Sequence, residues 1–168
     1  MERRSKEHVP TLDVYTDGSL KLLGKARCGG WAFIAVRLNK EEYYAAGYEH
    51  STTNQRMELI AAIKGLEYAE QNRRHHEKVV IYSDSAYLVN CYTQEWYHGW
   101  QANGWVNASK KEVANKDLWM KLIPYFDSFW YEFRKVEGHA GDYWNEQCDK
   151  LAQGQAEKLK MEWRKTNG

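Results

Sequence analysis

The chain has 168 residues, 43% hydrophobic and 28% charged, with a net charge of +1. That balance suits one globular domain and excludes a disordered chain, while the apolar runs are too short to span a bilayer. The near-neutral charge does not by itself advertise a nucleic-acid partner, although carboxylates committed to a metal site would leave the remainder more basic.

The first ten residues are polar and basic and lack the apolar stretch of a signal peptide. They read as a short tail, 1–10, before a single domain over 11–165. Leu12 to Thr16 reads as a strand ending in the turn signal Asp17-Gly18-Ser19. Lys21 to Gly30, with Gly24, Gly29 and Gly30, is expected to be a loop. Trp31 to Val36 and Glu42 to Tyr48 are two further strands, joined as a hairpin around Asn39-Lys40.

The period then changes. Thr52-Thr53-Asn54 supplies cap-type residues before Met57, Ile60, Ala61, Lys64 and Tyr68 at helical spacing, predicting a helix that ends near Asn72. Lys78 to Ser83 is an apolar run of strand length, taken as the central strand, and Asp84-Ser85 opens another helix. Residues 93–113 are Trp-rich and irregular. Asn115 to Tyr125 reads as a helix, Ser128 to Val136 as a strand, Gly138 to Asp142 as a loop, and Tyr143 towards Arg164 as a final helix. The order predicts an α/β domain, with a five-stranded mixed sheet flanked by helices. Cys28, Cys91 and Cys148 match no disulfide or zinc spacing, and read as reduced thiols of a cytoplasmic protein.

Four acidic residues fall where a sheet would gather them: Asp17 after the first strand, Glu58 early in the long helix, Asp84 after the apolar strand, and Asp149 near the start of the last helix. Ligands of open α/β sheets collect outside strand ends. Clustered carboxylates repel one another without cations, and hard oxygen ligands suit Mg²⁺ or Mn²⁺. Two such ions can hydrolyse a phosphodiester. Each residue taken singly also has a plainer role, as a turn, a helix-dipole partner, a cap or a solvated side chain.

The sequence resembles type 1 ribonucleases H over nearly its whole length. The matching words, in order, are Tyr15-Thr16-Asp17-Gly18-Ser19, Thr52 to Leu59, Tyr82-Ser83-Asp84-Ser85, Asn115 to Trp119, and Val136-Glu137-Gly138-His139-Ala140-Gly141 with Asn145 to Asp149. The resemblance implies a ribonuclease H-like fold and an endonuclease that hydrolyses the RNA strand of RNA/DNA hybrids, giving 5′-phosphate and 3′-hydroxyl products. It implies that Asp17, Glu58, Asp84 and Asp149 hold two Mg²⁺ ions with substrate, Mn²⁺ substituting, and that Asp84 bridges them. His139 then handles protons or helps the product leave. No membrane and no obligate protein partner is expected, and the chain is expected to be a monomer in the cytoplasm, with no hybrid-binding domain before the catalytic one.

Asn54 and Gln55 match the pair that contacts RNA 2′-hydroxyls, and amide side chains both donate and accept. Thr53 and Asn115 match parts of a DNA-phosphate pocket, whose contacts set register without reading sequence. Residues 91–115 resemble the family's substrate-binding handle. Trp96 is the candidate there for contact with DNA, while Trp100 and Trp105 serve contact or packing. Two departures stand out. The handle carries Lys110 and Lys111 against Glu95 and Glu112, so it is neutral where familiar members are basic, which predicts a shallow salt dependence. The segment after Asp17 lacks an Asn-Pro-Gly run, and Lys21, Lys25 and Arg27 offer charge in its place.

Three other readings compete with this one. An inactive hybrid-binding module has no use for clustered negative charge near phosphates. A proofreading-type 3′-exonuclease carries Asp-x-Glu on its first strand, whereas Asp17 is followed two residues later by Ser19. A domain of a reverse-transcription or phage system would share the activity in another setting.

Overall fold

The computed structural model of the chain describes residues 9–136 and 142–167. Five strands form one sheet: β1 (Thr11–Leu23), β2 (Ala26–Arg37), β3 (Lys40–His50), β4 (Lys78–Ser83) and β5 (Tyr131–Lys135). The helices are α1 (Asn54–Asn72), α2 (Ala86–Gln94), α3 (Trp96–Asn103), α4 (Lys116–Phe126) and α5 (Tyr143–Asn167). The spatial order is β3-β2-β1-β4-β5. The pairs β1–β2 and β2–β3 are antiparallel, and β1–β4 and β4–β5 are parallel. The expected mixed five-stranded α/β sheet is therefore present, but its middle strand is β1, with β4 one place away.

Lys21 to Gly30 is not a loop. β1 continues to Leu23, turns through Gly24-Lys25, and returns as β2, pairing Lys21 with Cys28 and Leu23 with Ala26. Of its three glycines only Gly24, at φ 59°, serves the turn. Gly29 and Gly30 mark close packing instead. A Cβ on Gly29 would overlap the Thr52 methyl group, and one on Gly30 would overlap the Ala152 carbonyl of α5. The second hairpin turns on Leu38-Asn39, both with positive φ, as a two-residue turn between twisted strands requires.

Each sheet face has its own core, because side chains alternate along a strand. Leu12, Val14 and Phe33 pack with Met57, Leu59, Leu66 and the fully buried Trp119 beneath α1 and α4. Ala32, Ile34 and Val36 pack on the other face against Cys148 and Ala152 of α5. Helix α1 starts on Thr53, whose hydroxyl accepts from the Arg56 N–H at 3.1 Å. Helix α2 starts on Ser85, which accepts from the Leu88 N–H at 3.1 Å. Both caps stand beside the acidic residues, so the local signals that begin these helices also place the site. The three cysteines are free and buried.

Candidate active site

Asp17 and Asp84 are brought together by strand register. The parallel pair β1–β4 ends with Tyr15 opposite Tyr82, and Asp17 and Asp84 each lie two residues further on. The Tyr15 and Tyr82 rings stack at 4.7 Å, and the Thr16 hydroxyl donates to the Tyr82 carbonyl at 3.1 Å. These contacts hold the two strands together immediately before the carboxylates.

Glu58 reaches the same place from the first turns of α1. Asp17, Glu58 and Asp84 each offer an oxygen within 4.8 Å of the others. Asp149, on α5, lies near enough to Asp17 and Asp84 to disfavour their charges, but it is not among the three whose oxygens come within 4.8 Å. Three of the four expected carboxylates, Asp17, Glu58 and Asp84, thus meet from β1, α1 and the end of β4, with Asp149 of α5 alongside. His139 lies outside the described residues.

Among the described residues, this cluster is short of positive charge. Burial, then the charge of Asp84 and the neighbouring Asp149, pushes the Asp17 carboxyl up to about 8. Burial, then Asp17 and Asp84, raises Glu58 well above the ordinary range. Asp84 is raised by burial and by Asp149. One oxygen of Glu58, Oε2, is buried with no hydrogen-bond partner among the described residues. Buried polar atoms are usually paired; Thr52 Oγ1 is a second orphan among the described residues, but an orphaned carboxylate oxygen among further carboxylates fits a hard divalent cation. Beneath the cluster, Cys148 Sγ points to the Ala32 carbonyl at 3.3 Å. Burial and then the surrounding carboxylates raise its thiol far above normal, leaving it a neutral packing group.

Two features of the site carried no clear signal in the sequence. Gln153 Nε2 donates to Asp149 Oδ2 at 2.7 Å, one helical turn along α5; the four-residue spacing was the only available hint. Tyr87 borders an open groove of about 310 Å³ together with Asn54, Gln55, Glu58, Asp84 and Ser85. Asn54 and Gln55 are exposed on the first turn of α1, directly beside the acidic cluster, and Thr53 rather than Asn54 is the cap.

Thr53 and Asn115 are tied to one residue. The Arg56 backbone N–H donates to Thr53 Oγ1, and its guanidinium donates to Asn115 Oδ1 at 3.2 Å. In the handle segment, Trp100 lies 5.6 Å from both Trp105 and Trp119, ring centre to ring centre. Trp100 thereby anchors α3 to the core, and Trp105 packs beside it. Trp96 is half-buried, 6.2 Å from Tyr87, and its indole N–H donates to Gln94 Oε1 at 2.9 Å. Lys25 and Arg27 border a different depression, with His50, Ser51 and Trp163.

A family model for RNase H matches residues 10–157. The chain belongs to the ribonuclease H family. A ribonuclease H of Syntrophomonas wolfei is 41% identical over 146 residues, covering 87% of this chain and 96% of that protein. One from Nitratidesulfovibrio vulgaris is 44% identical over 143 residues, 85% of this chain and 87% of that one. Among solved structures, LC9-RNase H1, described as a type 1 RNase H with the type 2 active-site motif, is 28% identical with a TM-score of 0.66, covering 92% of this chain and 75% of that one. The PFV RNase H domain gives a TM-score of 0.74 at 19% identity, covering 90% and 98%, a likeness of fold. The chain is thus a ribonuclease H enzyme. No helix among its described residues is long and apolar enough to cross a membrane.

Proposed function

We propose that this ribonuclease H is an endonuclease that cuts the RNA strand of RNA/DNA hybrids, leaving a 5′-phosphate and a 3′-hydroxyl. The observation that carries this reading is the meeting of Asp17, Glu58 and Asp84 within 4.8 Å beside a groove bordered by Asn54 and Gln55. A similar structure, LC11-RNase H1, was solved in complex with an RNA/DNA hybrid; at 18% identity its likeness is one of fold, with a TM-score of 0.65.

Asp17, Glu58, Asp84 and Asp149 would hold Mg²⁺, with Mn²⁺ as a substitute, and Asp84 would supply its ligand oxygen from the exposed side of the cluster. Bound there, the ions supply Lewis-acid activation of water and neutralise charge on the departing 3′ oxygen. The chain's own residues bind and orient the duplex. Asn54 and Gln55 present amides that donate to and accept from RNA 2′-hydroxyls. Thr53 and Asn115 hold a DNA phosphate, fixing register without reading sequence. Trp96, on the handle over 91–115, meets the DNA strand. His139 moves a proton or assists release of the product. The domain works as a monomer in the cytoplasm.

A short hybrid labelled at the RNA 5′ end tests the proposal, beside single-stranded RNA, duplex RNA and duplex DNA. Internal cuts in hybrid RNA alone, requiring Mg²⁺ or Mn²⁺ and abolished by chelator, are expected. Asp84→Asn keeps the shape and removes a charge, so cleavage should drop by orders of magnitude. Hybrid binding without cuts, or stepwise loss from a 3′ end, would overturn the proposal.

A further inference from the structure

Arg56 stands between three helix starts. It is the third residue of α1, and its guanidinium meets the beginning of α4. There Nη1 and Nη2 donate to the two carboxylate oxygens of Asp117 at 3.0 and 2.9 Å, and Nη1 also donates to Asn115 Oδ1 at 3.2 Å. Asn115 in turn donates from Nδ2 to the Tyr87 hydroxyl of α2 at 3.3 Å, and that hydroxyl also accepts from Trp119 Nε1 at 3.0 Å.

The ion pair is a poor stabilising device. Arg56 and Asp117 are 31% and 63% exposed, and exposed pairs of this kind add little to the folded state. Their geometry nevertheless is specific, because a two-pronged guanidinium–carboxylate contact fixes the guanidinium plane. The Arg56 guanidinium stays charged in any protein setting, so the cation is permanent.

The consequence falls on Asn115. An amide group can face either way, and the two orientations exchange a donor for an acceptor. A guanidinium has donors only, so Asn115 must turn its oxygen towards Arg56 and its NH₂ away. One NH₂ hydrogen goes to Tyr87. The other meets no acceptor among the described residues and is left as a donor. The backbone leaves little further freedom, since Asn115 caps α4 in the left-handed region at φ 61°.

We infer that Arg56 is a positioning residue: held by Asp117, it locks the Asn115 amide so that an N–H is presented to a phosphate of the bound duplex. The inference rests on the proposal that Asn115 contacts a nucleic-acid phosphate. Arg56 itself makes no phosphate contact, because its charge is already committed to Asp117.

A double-mutant cycle on hybrid cleavage tests this, using wild type, Arg56→Met, Asn115→Ala and the pair, with KM and kcat measured across a range of salt concentrations. Arg56→Met and Asn115→Ala should each raise KM by about 10- to 100-fold, the worth of a hydrogen bond to a charged group. The double variant should be no worse than Asn115→Ala, because contacts in series do not add. The salt dependence of KM in Arg56→Met should keep the wild-type slope, whereas a direct phosphate contact would lower it by about 1. Arg56→Lys, which cannot reach Asn115 and both Asp117 oxygens together, should recover KM only in part. Circular dichroism melting should show all variants folded. Additive effects, or a shallower salt slope in Arg56→Met, would overturn the inference while leaving hybrid cleavage in place. A wild-type protein that does not cut hybrids would remove the proposed function on which it rests.

Discussion

Gly18 lies against the backbone of Glu58: a Cβ on Gly18 would come to 2.6 Å from the Glu58 nitrogen and 2.6 Å from the Met57 carbonyl carbon. The absence of a side chain at position 18 lets β1 and α1 touch just where they carry Asp17 and Glu58. The Gly18 N–H also donates to Asp17 Oδ1 at 2.9 Å. The turn signal after the first strand thus has a second role, which is to set the spacing of two carboxylates.

Gly18→Ala should push α1 off β1, because neither backbone can move aside as a flexible side chain would. A stability loss of about 1–3 kcal/mol is expected from overpacking, with a larger loss of cleavage because Glu58 shifts. Thermal melting and hybrid cleavage measured together check this. Full activity with an unchanged melting temperature would show that the contact is slack.

The raised carboxyls make a pH prediction for the cation-free protein. Asp17 is pushed up to about 8, and Glu58 and Asp84 are also raised. The folded state therefore keeps protons that an unfolded chain releases above about pH 4. Stability is fully present below that pH and is lost as pH rises towards 8. Melting in chelator should fall between about pH 5 and pH 9, and Mg²⁺ should raise it more at the alkaline end. Melting that climbs with pH in chelator would contradict the repulsion argument. Asp84→Asn should melt higher than wild type in chelator at alkaline pH, since it removes one of the repelling charges.

Gln153→Ala removes the hydrogen bond that orients Asp149. Loss of such an outer contact typically weakens a metal site by about 10- to 100-fold. The Mg²⁺ concentration giving half-maximal cleavage should rise, with saturated turnover less affected. An unchanged Mg²⁺ requirement would mean that Asp149 needs no such support.

The neutral handle predicts a response to added charge. Gln101 and Asn103 are exposed on α3. Gln101→Lys with Asn103→Lys should lower KM at low salt, and should steepen the salt dependence by about 1 for each new phosphate contact. Variants indistinguishable from wild type would place the duplex away from α3.

Arg37 and Glu77 form an ion pair remote from the acidic cluster, at 9% and 4% exposed, with Arg37 Nε donating to Glu77 Oε2 at 2.8 Å. Burial favours the neutral acid, but hydrogen bonds from Arg37 and the Arg74 backbone outweigh it and hold the Glu77 carboxyl below its ordinary range. Arg37→Met strands the carboxylate and should cost about 3–5 kcal/mol. Denaturant unfolding should show that loss, with Mg²⁺-saturated turnover unchanged at a temperature where the variant is folded.

The sequence by itself determined the elements whose signals are local. Periodicity and the Thr53 and Ser85 caps set α1 and α2, and the words around Asp17, Glu58, Asp84 and Asp149 marked the four carboxylates before any geometry was known. Glycine was misread where its reason was not local. Gly29 and Gly30 resemble loop residues in the chain, yet Thr52 and Ala152, distant in sequence, require them to be small within a strand. Only the tertiary structure decided that β1 is the middle strand, that Asp17 and Asp84 stand in register, and that Gln153 and Arg56 support neighbours. Those facts depend on which elements pack together, and hydrogen bonds between residues as far apart as Arg56 and Asn115 leave no period or spacing in the chain.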